Sequence, residues 1–199
     1  MNLFFLLLGT AIVLGGLHMI APDHWAPLAV VSGKLNYTRR RTYVTAATLG
    51  ALHALTSEAV AGIVLVIGVI LVHRYLEYVD IASIILLFAV GVYFIVNGVM
   101  EMDLQDDQSS APVKSILAVS AFPDLALIPI ILAGSALPLL EVGLILAVFI
   151  VVSSISLTFM AYVSTRGLAG AMEKIPPRYI DYVMGLILFA TAIIIIFTS

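Results

Sequence analysis

Cysteine is absent from the 199 residues, and charge is scarce: Lys, Arg, Asp and Glu together make up 11%. Without cysteine there is no disulfide, no thiolate metal site, no iron–sulfur cluster and no thiol–disulfide exchange. With so little charge the chain cannot cover a water-facing surface, for which a soluble domain spends about a quarter of its residues. Few Asn and Gln accompany the missing cysteines, a composition that suits a heat-adapted source. The opening MNLFFLLLGTAIVLGG lacks a basic start and a small-x-small site before His18, so it reads as a retained segment rather than a cleaved signal. No Gly-rich phosphate loop and no recognisable hydrolase triad occur, so nucleotide hydrolysis, nucleic-acid binding and enzymatic catalysis are not expected.

What remains is apolar. Hydrophobic residues make up 62% and mean hydropathy is +1.17. A hydrocarbon core of about 30 Å takes about 20 apolar residues per helical crossing. Six stretches qualify, roughly 3–31, 43–71, 80–99, 115–135, 139–163 and 179–198. They are too long and continuous for the short alternating strands of a barrel. The expected fold is all-α, a six-helix integral membrane bundle forming one transmembrane domain over 1–199. Lys34, Arg39, Arg40 and Arg41 lie in the first loop, Lys114 in the third, and Arg166, Lys174 and Arg178 in the fifth, leaving only Arg74 on the other side. The positive-inside rule then puts the odd-numbered loops in the cytoplasm and both termini outside, in a multi-pass protein of the cell membrane. The third loop, EMDLQDDQSSAPVK, carries four acids and reads as a flexible linker over 101–113.

That linker divides the chain near its middle, into 1–100 and 114–199. Displaced by 101 residues, YVDIASIILLFA (78–89) lies over YIDYVMGLILFA (179–190), Pro22-Asp23 over Pro123-Asp124, and Gly33 over Gly134. Leu and Ile identities mean little in apolar sequence; Asp, Pro, Tyr and Gly pairs at one constant offset mean more. Three helices per half is an odd number, so the second half must insert upside down. Inverted repeats are a common transporter plan, with the substrate near the midplane where the halves meet. A duplicated bundle without transport is the plainer reading.

Polar residues interrupt the first span at HMIAPDH, residues 18 to 24. On an ideal helix His18, Asp23 and His24 would point in three directions, with steps of about 140° and 100° between them. Pro22 has no N–H for the His18 carbonyl, and Pro27 has none for that of Asp23. A break there turns the side chains towards a common point and offers backbone oxygen, which is tolerated at membrane depth only beside protein or a wet cavity. In the second half Pro123 acts on Val119 and Pro129 on Leu125, so the break is expected to be mirrored. The second span adds GALHALTSEAVAG, where His53, Thr56 and Ser57 share a face and Glu58 points about 140° from His53. Thr56 and Ser57 read as hydrogen-bonding support between helices. Glu58 is either half of a stabilising pair or a proton relay. For His18, Asp23, His24 and His53 together, helix glue is the less economical account. Three imidazoles and a carboxylate form a nitrogen/oxygen ligand set suited to Ni, Co, Zn, Cu or Fe.

With these residues the chain resembles the nickel/cobalt permeases and the related six-helix nickel/cobalt efflux and urease-accessory-type membrane proteins. His18, Asp23 and His24 fit that group's H-x4-D-H pattern, and LGALHALTSEAVAG (49–62) is similar to its second-helix signature. The resemblance implies transport of a divalent transition metal, Ni²⁺ or Co²⁺ first and Zn²⁺ or Mn²⁺ next, with His18, Asp23, His24 and His53 as ligands or selectivity residues. The chain departs from the permeases at Ala21, where they often carry another aspartate. It departs from the efflux proteins in having no histidine in the third loop. Two alternatives stay open: an exporter of amino acids or other small solutes from the same inverted-repeat superfamily, and a membrane redox protein with haem between His18 or His24 and His53.

Asp124, the mirror of Asp23, lacks a neighbouring histidine and reads as a gate or proton site opposite the metal, or as a helix cap after Pro123. Asp80 and Asp181 are expected to cap the third helix of each half, and Asn97 to bond a neighbouring helix. Trp25 and the terminal tyrosines suit interfacial anchoring. The expected partners are membrane lipid and the transported ion, and a homo-oligomer is compatible with the sequence.

Overall fold

A computed structural model describes residues 2–72, 77–100, 123–167 and 177–198, with the side chains of Asp23, of 67–80 and of 177 and 198 outside that description. Seven helices are described: α1 Leu3–Ile20, α2 Pro22–Lys34, α3 Arg39–Val72, α4 Glu77–Met100, α5 Leu127–Ala133, α6 Leu139–Thr165 and α7 Pro177–Thr198. A 3-10 turn at Gly134–Ala136 follows α5, and no strand occurs among the described residues.

Five segments are long and apolar enough to cross a membrane: Leu3–Ile20, Arg39–Val66, Ile81–Met100, Leu139–Thr165 and Arg178–Phe197. At most 33% of each apolar window is buried inside the protein, so each helix turns a narrow stripe to its neighbours and a broad apolar face outwards. Phe5, Ile155 and Phe197 are among the exposed residues. Such helices suit lipid and not water. The described residues form an all-helical bundle whose long apolar helices are built like those of a membrane protein.

The run 3–31 is two helices, broken where the proline pattern expects it: the chain turns at Ala21 (φ −58, ψ 140) and Pro22 opens α2. Within 115–135 the described part supplies only the seven residues of α5 and the turn after it; 101–122, with the acidic linker and Lys114, lies outside the described residues, as do Arg74 and Lys174.

Pro27 sits inside α2 and Pro129 in the first turn of α5, and neither ends its helix. A proline in the first turn removes an N–H that had no partner to lose. Two of the carbonyls expected to be freed are taken up: His18 O accepts from Ala21 N–H at 3.2 Å, and Leu125 O from Ile128 N–H at 3.2 Å; Val119 lies outside the described residues. Pro123 stands in non-helical chain just ahead of α5.

The helices interlock through small residues. α3 runs antiparallel to α6, with the Tyr43 hydroxyl 3.0 Å from Thr165 Oγ1 at one end. At Gly50 they approach so closely that a Cβ would stand 2.8 Å from Ser153 O and from Ser154 Cα. α4 pairs with α7 in the same way, Gly185 lying against the Gly91 carbonyl. Thr10 and Thr191 join α1 to α7 at 3.0 Å.

Asn97 Nδ2 donates to Asp181 Oδ2 at 2.7 Å, the interhelical bond expected of Asn97. Asp181 is therefore an acceptor inside α7 and not its cap. Asp80 likewise lies inside α4, its side chain outside the described part. Trp25 is no interfacial anchor. Only 2% of it is exposed, it packs with Met19, Leu28, Leu49, Leu157 and Met160, and its indole N–H caps the Ile20 carbonyl at 2.9 Å.

Candidate metal centre

The break between α1 and α2 builds the site. In an unbroken helix His18 and His24 would be about 9 Å apart along the axis and about 120° apart around it. The extended residue Ala21 removes that separation. His18 Nε2 and His24 Nε2 stand 3.0 Å apart, with ring centroids at 4.6 Å. His53 enters from α3, its ring centroid 5.1 Å from that of His18 and 4.8 Å from that of His24. One ring nitrogen of each histidine lies within 4.8 Å of the other two. His53 is fully buried, His24 nearly so, and His18 partly.

In the 3.0 Å contact one nitrogen donates and the other accepts, so at least one of these rings points a lone pair into the cluster.

Asp124 reaches the same place from the second half. Ser57 Oγ donates to His53 O at 2.8 Å and accepts the Asp124 N–H at 2.7 Å, tying the turn before α5 to the helix that carries His53. Asp124 is buried, and the Ser57 hydroxyl bridges its N–H to the His53 carbonyl. Its Oδ1 accepts Ala126 N–H at 2.8 Å, while Oδ2 is buried with no hydrogen-bond partner. An orphan carboxylate oxygen in a dry interior is costly unless a cation or proton meets it. Asp124 Oδ1 thus closes a local turn on Ala126 N–H ahead of α5, whose first turn has no side-chain cap, and Ser57 holds Asp124 against the helix that carries His53.

The structure brings together His18, His24 and His53. It places Asp124 and Ser57 next to them, and the Thr56 hydroxyl on the His53 carbonyl at 2.8 Å. Asp23 is the second residue of α2, and its side chain lies outside the described part. Glu58 does not join the histidines; it is half-buried on α3, with Oε1 buried and without a hydrogen-bond partner. Three imidazoles and a nearby carboxylate, shielded from water, make a borderline ligand set for a divalent transition ion. Comparison with protein-family models, curated proteins and solved structures finds no match to this chain.

Proposed function

We propose that the protein carries a divalent transition-metal ion across the membrane, Ni²⁺ or Co²⁺ in the first place, held at the break between α1 and α2. The carrying observation is the convergence of three histidine nitrogens within 4.8 Å in the interior of the bundle. Neutral imidazole binds such ions and gives them up on protonation, which suits a cargo that must be released. Asp124 supplies negative charge beside the cargo, and Glu58, off the site, is the candidate for proton coupling or gating.

Transport by two inverted halves rocking about the site is part of this reading, and chain continuity supports it. α6 ends beside the start of α3 and so begins at the opposite end of the bundle. α4 follows α3 after only residues 73–76, so it returns to the end where α3 starts. α3 and α6 begin 100 residues apart, as do α4 and α7, and each packs on its counterpart. A twofold axis in the membrane plane produces that pairing. Lys34, Arg39, Arg40, Arg41 and Arg166 fall at one end, which supports placing that end in the cytoplasm.

The haem alternative fits this geometry poorly, because the three rings are in mutual contact and leave no space for a macrocycle between any two. The small-solute exporter has no comparable observation in its favour. Calorimetric titration of purified, tag-free protein with Ni²⁺, Co²⁺, Zn²⁺ and Mn²⁺ tests the reading, with His53→Asn and His24→Ala beside the parent. Saturable binding should weaken in each variant by more than the roughly 10–100-fold that loss of a supporting group costs. A folded parent that binds none of the four ions ends the proposal. Flux into liposomes then decides direction.

A further inference from the structure

The bundle has a second built site, at the end where α2 and α6 finish and α3 begins. A cleft of about 320 Å³ is lined there by one guanidinium, Arg39, and five hydroxyl side chains, Ser32, Tyr37, Thr42, Ser164 and Thr165. Leu28 and Ala161 close its inner side, and both also belong to the buried layer of Met19, Trp25, Leu49 and Leu157. That layer contains the residues flanking His18 and His24 in sequence, so apolar packing separates the cleft from the histidines.

Among the described residues no carboxylate lines the cleft, and its hydrogen-bonding groups are unevenly used. Two helices end here, and three of the carbonyls in their last turns are occupied. Ser32 O accepts Tyr37 N–H at 2.9 Å, Gly33 O accepts Asn36 N–H at 3.2 Å, and Ser164 O accepts Gly167 N–H at 3.1 Å. These caps rest on left-handed residues, Asn36 (φ 49) and Gly167 (φ 75). Donors are left over. Ser32 Oγ is buried with no hydrogen-bond partner. Arg39 opens α3, where Thr38 Oγ1 caps only the Arg41 N–H, at 3.3 Å, leaving the amides of Arg39 and Arg40 without helical acceptors. Arg41 stacks on the Tyr37 ring at 4.0 Å and holds the rim in place.

We propose that this cleft binds a phosphate-type oxyanion, with Arg39 and the Ser32 hydroxyl as its principal donors. A guanidinium with hydroxyls and helix-start amides is the donor set that phosphate oxygens take. The volume, equal to about ten waters of liquid, has room for the phosphate and glycerol of an anionic lipid headgroup as well as for a free phosphate.

The test titrates short-chain phosphatidylglycerol, short-chain phosphatidylcholine and inorganic phosphate separately into protein in neutral detergent at fixed ionic strength. Parent, Arg39→Gln, Ser32→Ala and Arg40→Gln are compared, with circular dichroism confirming that each is folded. Arg40 neighbours Arg39 but does not line the cleft. Saturable binding of phosphatidylglycerol, phosphate or both is expected, weakened about tenfold by Arg39→Gln and severalfold by Ser32→Ala, and changed less than twofold by Arg40→Gln. Binding of phosphatidylglycerol alone assigns the anion to the membrane; equal binding of phosphate, competing with the lipid, assigns it to a soluble ligand. Equal losses in Arg39→Gln and Arg40→Gln would mean diffuse charge and overturn the site, as would equal binding of phosphatidylcholine or no saturable binding by the parent.

Discussion

Gly50 and Gly62 offer one substitution with opposite expected outcomes. Both lie on α3, in the stretch that carries His53. A Cβ on Gly62 meets nothing within 4 Å, whereas on Gly50 it would stand 2.8 Å from two backbone atoms of α6. Ordinary contact begins at 3.4 Å, so α3 and α6 must part by about 0.6 Å, and backbone cannot swing aside as a side chain can. A gap of 0.5–1 Å forfeits about a quarter to a half of each dispersion contact along the seam. Forced overpacking costs about 1–3 kcal/mol. The helix preference for Ala over Gly returns about 1 kcal/mol at either position. Gly62→Ala should therefore be neutral to about 1 kcal/mol stabilised, and Gly50→Ala destabilised by up to about 2 kcal/mol. His53 is three residues on from Gly50 and shifts with the helix. Metal sites hold their distances to about 0.2 Å, so Ni²⁺ affinity should fall in Gly50→Ala and hold in Gly62→Ala. Unfolding in detergent, followed by circular dichroism, reads the first effect and calorimetry the second. A Gly50→Ala protein as stable as Gly62→Ala would refute the close approach of α3 and α6 and the packing argument built on it.

Two smaller changes probe the joints of the site. Trp25→Phe keeps an aromatic ring in the apolar layer but deletes the N–H that caps Ile20 O; it should cost about 1 kcal/mol or somewhat more, the net worth of one buried hydrogen bond, and an unchanged unfolding midpoint would contradict the cap. Ser57→Ala removes the hydroxyl that accepts Asp124 N–H and donates to His53 O; ion binding should weaken about 10–100-fold, as for other supporting groups, and an affinity equal to the parent's would remove Asp124 from the site.

Much of the architecture was legible because membrane helices are local objects. A bilayer leaves backbone groups nothing to bond with but their own chain, so apolar runs translate almost directly into helices: 139–163 became Leu139–Thr165, and 179–198 became Pro177–Thr198. Pro22 announced its break for a covalent reason, the missing N–H. Pro129 carries the same chemistry, yet its helix continues, because in the first turn the missing N–H has no partner to lose; Pro27 stands inside α2, which runs on past it. Trp25 was misread because the aromatic-belt rule counts residues from the helix end, while residue 25 lies beside a break in mid-chain.

The candidate site divides along the same line. His18, His24 and His53 stood out as polar residues in apolar sequence, and covalent geometry with solvation was enough to single them out. Their meeting was not determined locally. It needs the turn at Ala21 to fold α2 back, the Gly50–Ser153 contact to set the depth and rotation of α3, and the Ser57 hydroxyl to draw in Asp124 from 67 residues away. Local sequence was enough to say which long segments are helical, where the first of them breaks, and which side chains are too polar for lipid. Which of those side chains share one point, and that Asp124 is drawn against the helix carrying His53, came from packing between helices, which close backbone contacts fix and no local pattern encodes.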